Sequence, residues 1–128
     1  MTRKAIKTNA APAAIGPYSQ AIQTGNNLYL SGQLGMDPAT GKLVEDGVTA
    51  QTAQALKNVQ AILTAAGFAV SDLIQVQVFL TNIADFSAVN EVYKDFFKEP
   101  YPARAAFAVA ALPAGGAVEI LAVAVKNS

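Results

Sequence analysis

From residue 48 to residue 66, apolar positions recur at helical spacing. Val48, Leu56, Val59, Leu63 and Ala66 fall on one face, while Gln51, Gln54, Lys57, Asn58 and Thr64 lie mostly elsewhere. The spacing predicts a helix over 48–66, with Gly67 as a left-handed C-cap and Phe68 folding back on Leu63. The pattern then changes to strict alternation. Over 73–80, Ile74, Val76, Val78 and Leu80 share one face of a strand, and Leu73, Gln75, Gln77 and Phe79 share the other. Helical spacing returns over about 86–98, where Phe86, Val89, Tyr93, Phe96 and Phe97 form a stripe. Asp85 or Asn82 is the expected N-cap, and Pro100 and Pro102 end the helix. Two further strands are expected over 104–112 and 117–126, joined by the turn Pro113-Ala114-Gly115-Gly116.

Upstream, a short strand over 5–8 precedes a Pro- and Gly-marked loop over 9–17. Strands over 18–23 and 28–31 flank Gly25-Asn26-Asn27, a hairpin connection built of residues that accept positive φ. Asp37-Pro38 and Thr40-Gly41 mark another turn. The order is therefore an α+β one, with a mixed sheet of five to six strands and two helices. Two helices cover one face of such a sheet and leave the other bare. The bare face carries Gln75, Gln77 and many small side chains.

Composition sharpens that picture. The chain has 128 residues, the length of one domain over 1–128. Hydrophobic types make up 52% and charged types 14%, against about 25% charged in an average globular domain. Nine basic and nine acidic residues cover a lone domain thinly. The expectation is an oligomer, closed by symmetry, that buries the bare sheet face.

The same counts exclude several chemistries. Without cysteine there is no disulfide, thiol nucleophile or Cys–metal site, and without histidine there is no Ser-His-Asp triad or His-ligated metal. A net charge of zero argues against nucleic acid, which demands clustered Lys and Arg. The apolar stretch 105–118 is too short to span a membrane and holds Pro113, Gly115 and Gly116. Arg3, Lys4 and Lys7 precede the first acidic residue, Asp37, but the segment lacks the serines of a transit peptide. A cytoplasmic location is expected.

Two charges stand out. Arg104 opens an apolar strand, and Glu119 lies alone within Ala-Val-Glu-Ile-Leu-Ala-Val. A buried charge must be paired or put to use. If the two strands are adjacent, Arg104 and Glu119 form a structural ion pair. Alternatively, Arg104 grips an anionic ligand through its two-pronged guanidinium, and Glu119 is an acid/base group. Tyr18 after Gly16-Pro17, Ser31-Gly32 at a strand end, and Asn90 beside the second helix's apolar stripe are weaker candidates. No phosphate-binding glycine loop is present.

Taken together, these motifs resemble a known family. They are Ala14-Ile15-Gly16-Pro17-Tyr18-Ser19-Gln20-Ala21, Leu30-Ser31-Gly32-Gln33, Asn58-Val59, Val76-Gln77-Val78-Phe79-Leu80, Asp85-Phe86 with Val89-Asn90, Pro102-Ala103-Arg104-Ala105-Ala106, Leu112-Pro113 and Val118-Glu119-Ile120. The chain resembles the RidA/YjgF family of reactive-intermediate deaminases over nearly its whole length. The resemblance implies a chorismate-mutase-like fold and a homotrimer with clefts at the subunit interfaces. It also implies cofactor-free hydrolysis of 2-aminoacrylate-type enamines and imines to 2-keto acids and ammonia. By the same resemblance, Arg104 binds the substrate carboxylate and Glu119 positions or activates water. Tyr18, Ser31, Gly32, Phe86, Asn90 and the backbone carbonyl of Ala106 line the cleft. Many members carry a cysteine where this chain has Ala106, so a thiol-dependent activity is excluded. Two other readings remain open at this point: a module that senses small keto or amino acids, and an RNA-cleaving inhibitor of translation.

Overall fold

The computed structural model describes residues 2–127. In chain order its elements are β1 (Lys4–Ile6), β2 (Ala21–Thr24), β3 (Asn27–Leu34), β4 (Met36–Asp37), β5 (Lys42–Leu43), α1 (Gly47–Ala66), β6 (Leu73–Leu80), α2 (Phe86–Phe96), β7 (Ala103–Ala108) and β8 (Val118–Val125). Six strands make one sheet in the order β1-β2-β3-β8-β6-β7, and β4 and β5 pair as a small separate hairpin. All neighbours in the large sheet are antiparallel except β6 and β7. That parallel pair is joined through α2, as a parallel crossover requires.

Both helices are expected from their periodicity, and both lie against one face of the sheet. Leu56, Val59, Ile62 and Leu63 of α1 are buried with Leu28, Val76, Val78 and Ile120 of the strands. Gly67 ends α1 in the left-handed conformation, and the Phe68 N–H donates to the Leu63 carbonyl at 2.8 Å. The other face is bare. It exposes Tyr29, Ile74 and Phe107, with Phe107 stacked on Phe79 at 6.3 Å between ring centres.

Several boundaries differ from the sequence reading. The strand expected from residue 18 begins at Ala21, because the Gln20 side chain instead ties the preceding loop together. Ile74 was expected in the core but is 49% exposed. Leu73 pairs with Ala124 and Gln75 with Val123, so an extra residue on β6 turns Ile74 outward and Leu73 inward. The second helix stops at Phe96, and Phe97 leaves it in extended conformation to pack 4.3 Å from the Tyr93 ring. The strand expected over 104–112 ends at Ala108.

One difference matters for function. Consecutive strands β7 and β8 are not neighbours, because β6 lies between them. Arg104 stands in register with buried Val76, and Glu119 with Phe79 on the opposite face. Within one chain, the Arg104–Glu119 ion pair anticipated from sequence is therefore not formed.

Candidate functional site

The Glu119 side of the sheet is shaped by a bulge. Leu30 of β3 pairs with Ala122 and Gln33 with Ile120, so Ser31 and Gly32 occupy the space of one ladder position. A bulge leaves a backbone group outside the ladder and re-aims its neighbours, which is why bulges occur beside active sites. Ser31 is anchored to the preceding loop. Its N–H donates to the Gln20 carbonyl at 2.9 Å, and its hydroxyl donates to the Ser19 carbonyl. Gln20 is buried; its amide accepts from the Thr8 N–H at 2.7 Å and donates to the Pro12 carbonyl at 2.8 Å. The loop so held presents Tyr18, which is half-exposed.

Gly32 is required by space. A Cβ at this position would lie 2.9 Å from both Cδ and Oε2 of Glu119. Only glycine lets the carboxylate rest over the strand backbone. Burial pushes the Glu119 carboxyl above the usual carboxylate range. Tyr18, Gly32, Gln33, Met36, Pro113 and Glu119 line a cleft of about 220 Å³.

Arg104 occupies a second cleft, on the helix side of the edge strand. Its Nη1 donates to Asn90 Oδ1 at 2.8 Å. The guanidinium carbon lies 4.7 Å from the centre of the Tyr93 ring and 5.1 Å from that of Phe86. Two aromatic faces and one amide thus hold an exposed cation in place, each cation–π contact contributing about 0.5–1 kcal/mol at such a site. The other guanidinium donors are available to an anion. Asn90, Tyr93, Lys94, Tyr101, Pro102 and Arg104 line this cleft of about 450 Å³. Ala106 lies on the same face of β7, half-buried against the core.

The residues named from sequence therefore fall into two groups. Tyr18, Ser31, Gly32 and Glu119 belong to the bulge side. Phe86, Asn90, Arg104 and Ala106 belong to the edge side. Sequence reasoning missed two participants. Tyr93, read as part of an apolar stripe, has a hydroxyl buried beneath Arg104 with no hydrogen-bond partner among the described residues. Burial raises its phenol pKa and the guanidinium opposes the rise, so the hydroxyl is a neutral donor. A tyrosine in a stripe otherwise built of Phe and Val was the available signal. Gln20 gave no signal, because its role depends on a loop closing around it.

Residues 8–126 match the family model described as endoribonuclease L-PSP. The chain belongs to that family. It is 55% identical to the 2-iminobutanoate/2-iminopropanoate deaminase of Capra hircus over 99% of this chain and 93% of that protein. Among solved structures, RidA from an Antarctic Psychrobacter superposes with a TM-score of 0.93 at 49% identity, covering 96% of this chain and 99% of that one. E. coli TdcF with bound serine superposes with a TM-score of 0.92 at 45% identity, covering 97% and 99%. The fold and the RidA/YjgF kinship expected from the motifs are thereby borne out.

Proposed function

We propose that this chain is an enamine/imine deaminase acting on 2-iminobutanoate- and 2-iminopropanoate-type substrates. The observation that supports the reading is the 55% identity to a protein of that name over nearly the whole chain, with an exposed guanidinium and a partly buried carboxylate available for the chemistry. The substrate carboxylate lies in the fork of Arg104, which Asn90, Phe86 and Tyr93 hold in place. A 2-aminoacrylate-type enamine tautomerises to the imine without a cofactor. Glu119 accepts a proton from water as its oxygen bonds to the imine carbon, and the nitrogen takes up the proton. The resulting aminol expels ammonia and leaves the 2-keto acid. Water enters, ammonia leaves, and no redox step is involved. The Gly32 N–H, within the bulge, and the Ala106 carbonyl orient the reacting groups.

This reading needs a second copy of the chain. Arg104 and Glu119 face opposite sides of one sheet, so a ligand that touches both lies between subunits. The bare face with Tyr29, Ile74 and Phe107 is the surface for that contact, and a homotrimer with three interface clefts satisfies it. No helix among the described residues is long and apolar enough to cross a membrane. A cysteine-free chain needs no oxidising compartment to fold, which suits the cytoplasm.

The test is ammonia release from freshly generated 2-aminoacrylate, with light scattering on the same preparation. Release well above the spontaneous rate, from a species of three times the chain mass, supports the proposal. Tight keto-acid binding without turnover would make the chain a sensing module. RNA cleavage without ammonia release would overturn the deaminase reading altogether.

A further inference from the structure

One polar row remains that the proposed chemistry does not use. On α1, Gln51, Gln54 and Asn58 were expected to lie mostly off the apolar face, yet Asn58 is fully buried. Its amide has every group engaged in a defined direction. Nδ2 donates to the Leu34 carbonyl at 3.1 Å and to the Met36 carbonyl at 2.9 Å, and Oδ1 accepts from Gln54 Nε2 at 2.9 Å. Leu34 ends the bulged strand that carries Ser31 and Gly32, and it stands in register with Glu119. About two turns earlier on the helix, Gln51 Oε1 accepts from the Ala117 N–H at 2.9 Å. Ala117 immediately precedes β8, two residues before Glu119. Between these anchors, Gly35 is pressed onto the helix: a Cβ there would lie 2.5 Å from the Gln51 carbonyl oxygen. One helix therefore grips both strands that meet where the Glu119 side chain packs over the Gly32 backbone.

We infer that Gln51 and Asn58 are positioning residues for catalysis, setting how closely the bulge at Gly32 approaches the Glu119 carboxylate. Neither touches the cleft where substrate would bind. The inference rests on the reading of Glu119 as the proton-handling group. It follows from geometry, because a bulge has no ladder partner to hold its spacing and these amides supply the missing constraint. If the grip loosens, the two strands separate at this point, and water reaches the carboxylate from the Gly32 side.

The experiment compares Gln51→Ala, Gln51→Glu and Asn58→Ala in the assembled protein. It measures kcat, KM, melting temperature and the pH profile of kcat/KM for ammonia release. Gln51→Ala is expected to lower kcat about 10- to 100-fold, the loss expected from misplacing a reacting group by up to an ångström. KM should change little, since the anion clamp is elsewhere. The acid limb of the profile should move to lower pH, because the newly solvated carboxylate ionises more readily. Gln51→Glu keeps the acceptor for the Ala117 N–H and is expected to restore both kcat and the limb. Asn58→Ala should act in the same direction more strongly; if it fails to fold, the Gln51 pair decides. A lowered melting temperature in Gln51→Ala with kcat and the acid limb unmoved would overturn the inference and make these amides fasteners of the fold alone. Glu119→Gln, run alongside, separates the failures: native kcat in that variant removes the reading of Glu119 on which the inference rests.

Discussion

The two clefts are built by opposite means. The Arg104 cleft depends on side chains: a cation on an edge strand, laid over two rings and tied to one amide, with most of its donors facing solvent. The Glu119 cleft depends on backbone: a bulge, a glycine that only the absence of a Cβ permits, and a loop closed around a buried glutamine. The first suits recognition of an anion, for which direction and charge matter and small shifts are tolerated. The second suits a reacting group, for which distance and solvation both matter. In the roles proposed for them, Arg104 and Glu119 are therefore expected to tolerate substitution differently.

The sharpest way to break the comparison is Glu119→Gln. It is expected to lower kcat for ammonia release by roughly 10²–10⁴-fold, the usual range for one acid/base group. Its effect on stability should run the other way. A carboxyl whose pKa is raised on folding binds its proton more tightly in the native than in the unfolded state. Native stability is therefore lost as pH rises from the ordinary glutamate value through the raised one, and neutral pH lies on the side where it is lost. Glutamine removes that cost. Melting curves should show the variant equal to or more stable than the parent at neutral pH, with the advantage vanishing as pH falls below the ordinary carboxylate range. A clear drop in melting temperature at neutral pH would return Glu119 to a structural role.

The clamp is tested next. Arg104→Lys keeps the charge but loses the planar fork and its fit over the rings. It is expected to cost roughly 10²-fold in kcat/KM, mostly through KM, consistent with losing one charge-assisted hydrogen bond of about 1.5–3 kcal/mol. Its melting temperature should stay near the parent's, since the side chain is exposed. Retention of most activity would show that a point charge suffices. Asn90→Ala should have the smallest effect. It removes one charge-assisted hydrogen bond of Arg104, worth about 1.5 kcal/mol at this exposed site, so KM should rise by about tenfold while kcat and its pH profile stay unchanged. A fall in kcat with KM unmoved would place Asn90 with the reacting groups rather than with the clamp.

Much of this was legible from the chain alone, for definite reasons. The helix ending at Gly67 followed from an unbroken apolar stripe and a glycine able to adopt φ near +79°. That Glu119, Leu121 and Val123 share one face of β8 followed from the two-residue period of a strand, whereas which face is buried did not, because the strand is apolar on both sides. The Gly16-Pro17-Tyr18 and Arg104 segments carried the family likeness directly. Local patterns determine local structure, because the period of side-chain burial is written in the residues themselves. Ile74 shows where that stops. The alternation through β6 is regular in sequence, yet the extra residue at its start is visible only against β8.

The site divides along the same line. That Arg104 and Glu119 are candidates could be read from the chain, since each is a lone charge in an apolar strand and the family likeness points to the same two residues. That they lie on opposite sheet faces could not, since it depends on β6 inserting between two strands that follow one another in the chain. The same holds for the bulge at Ser31–Gly32, for the amides of α1 that grip both strands, and for the Tyr93 hydroxyl buried beneath Arg104. Each is a relation between segments distant in sequence, and only the closing of the chain on itself brings such segments within hydrogen-bonding range.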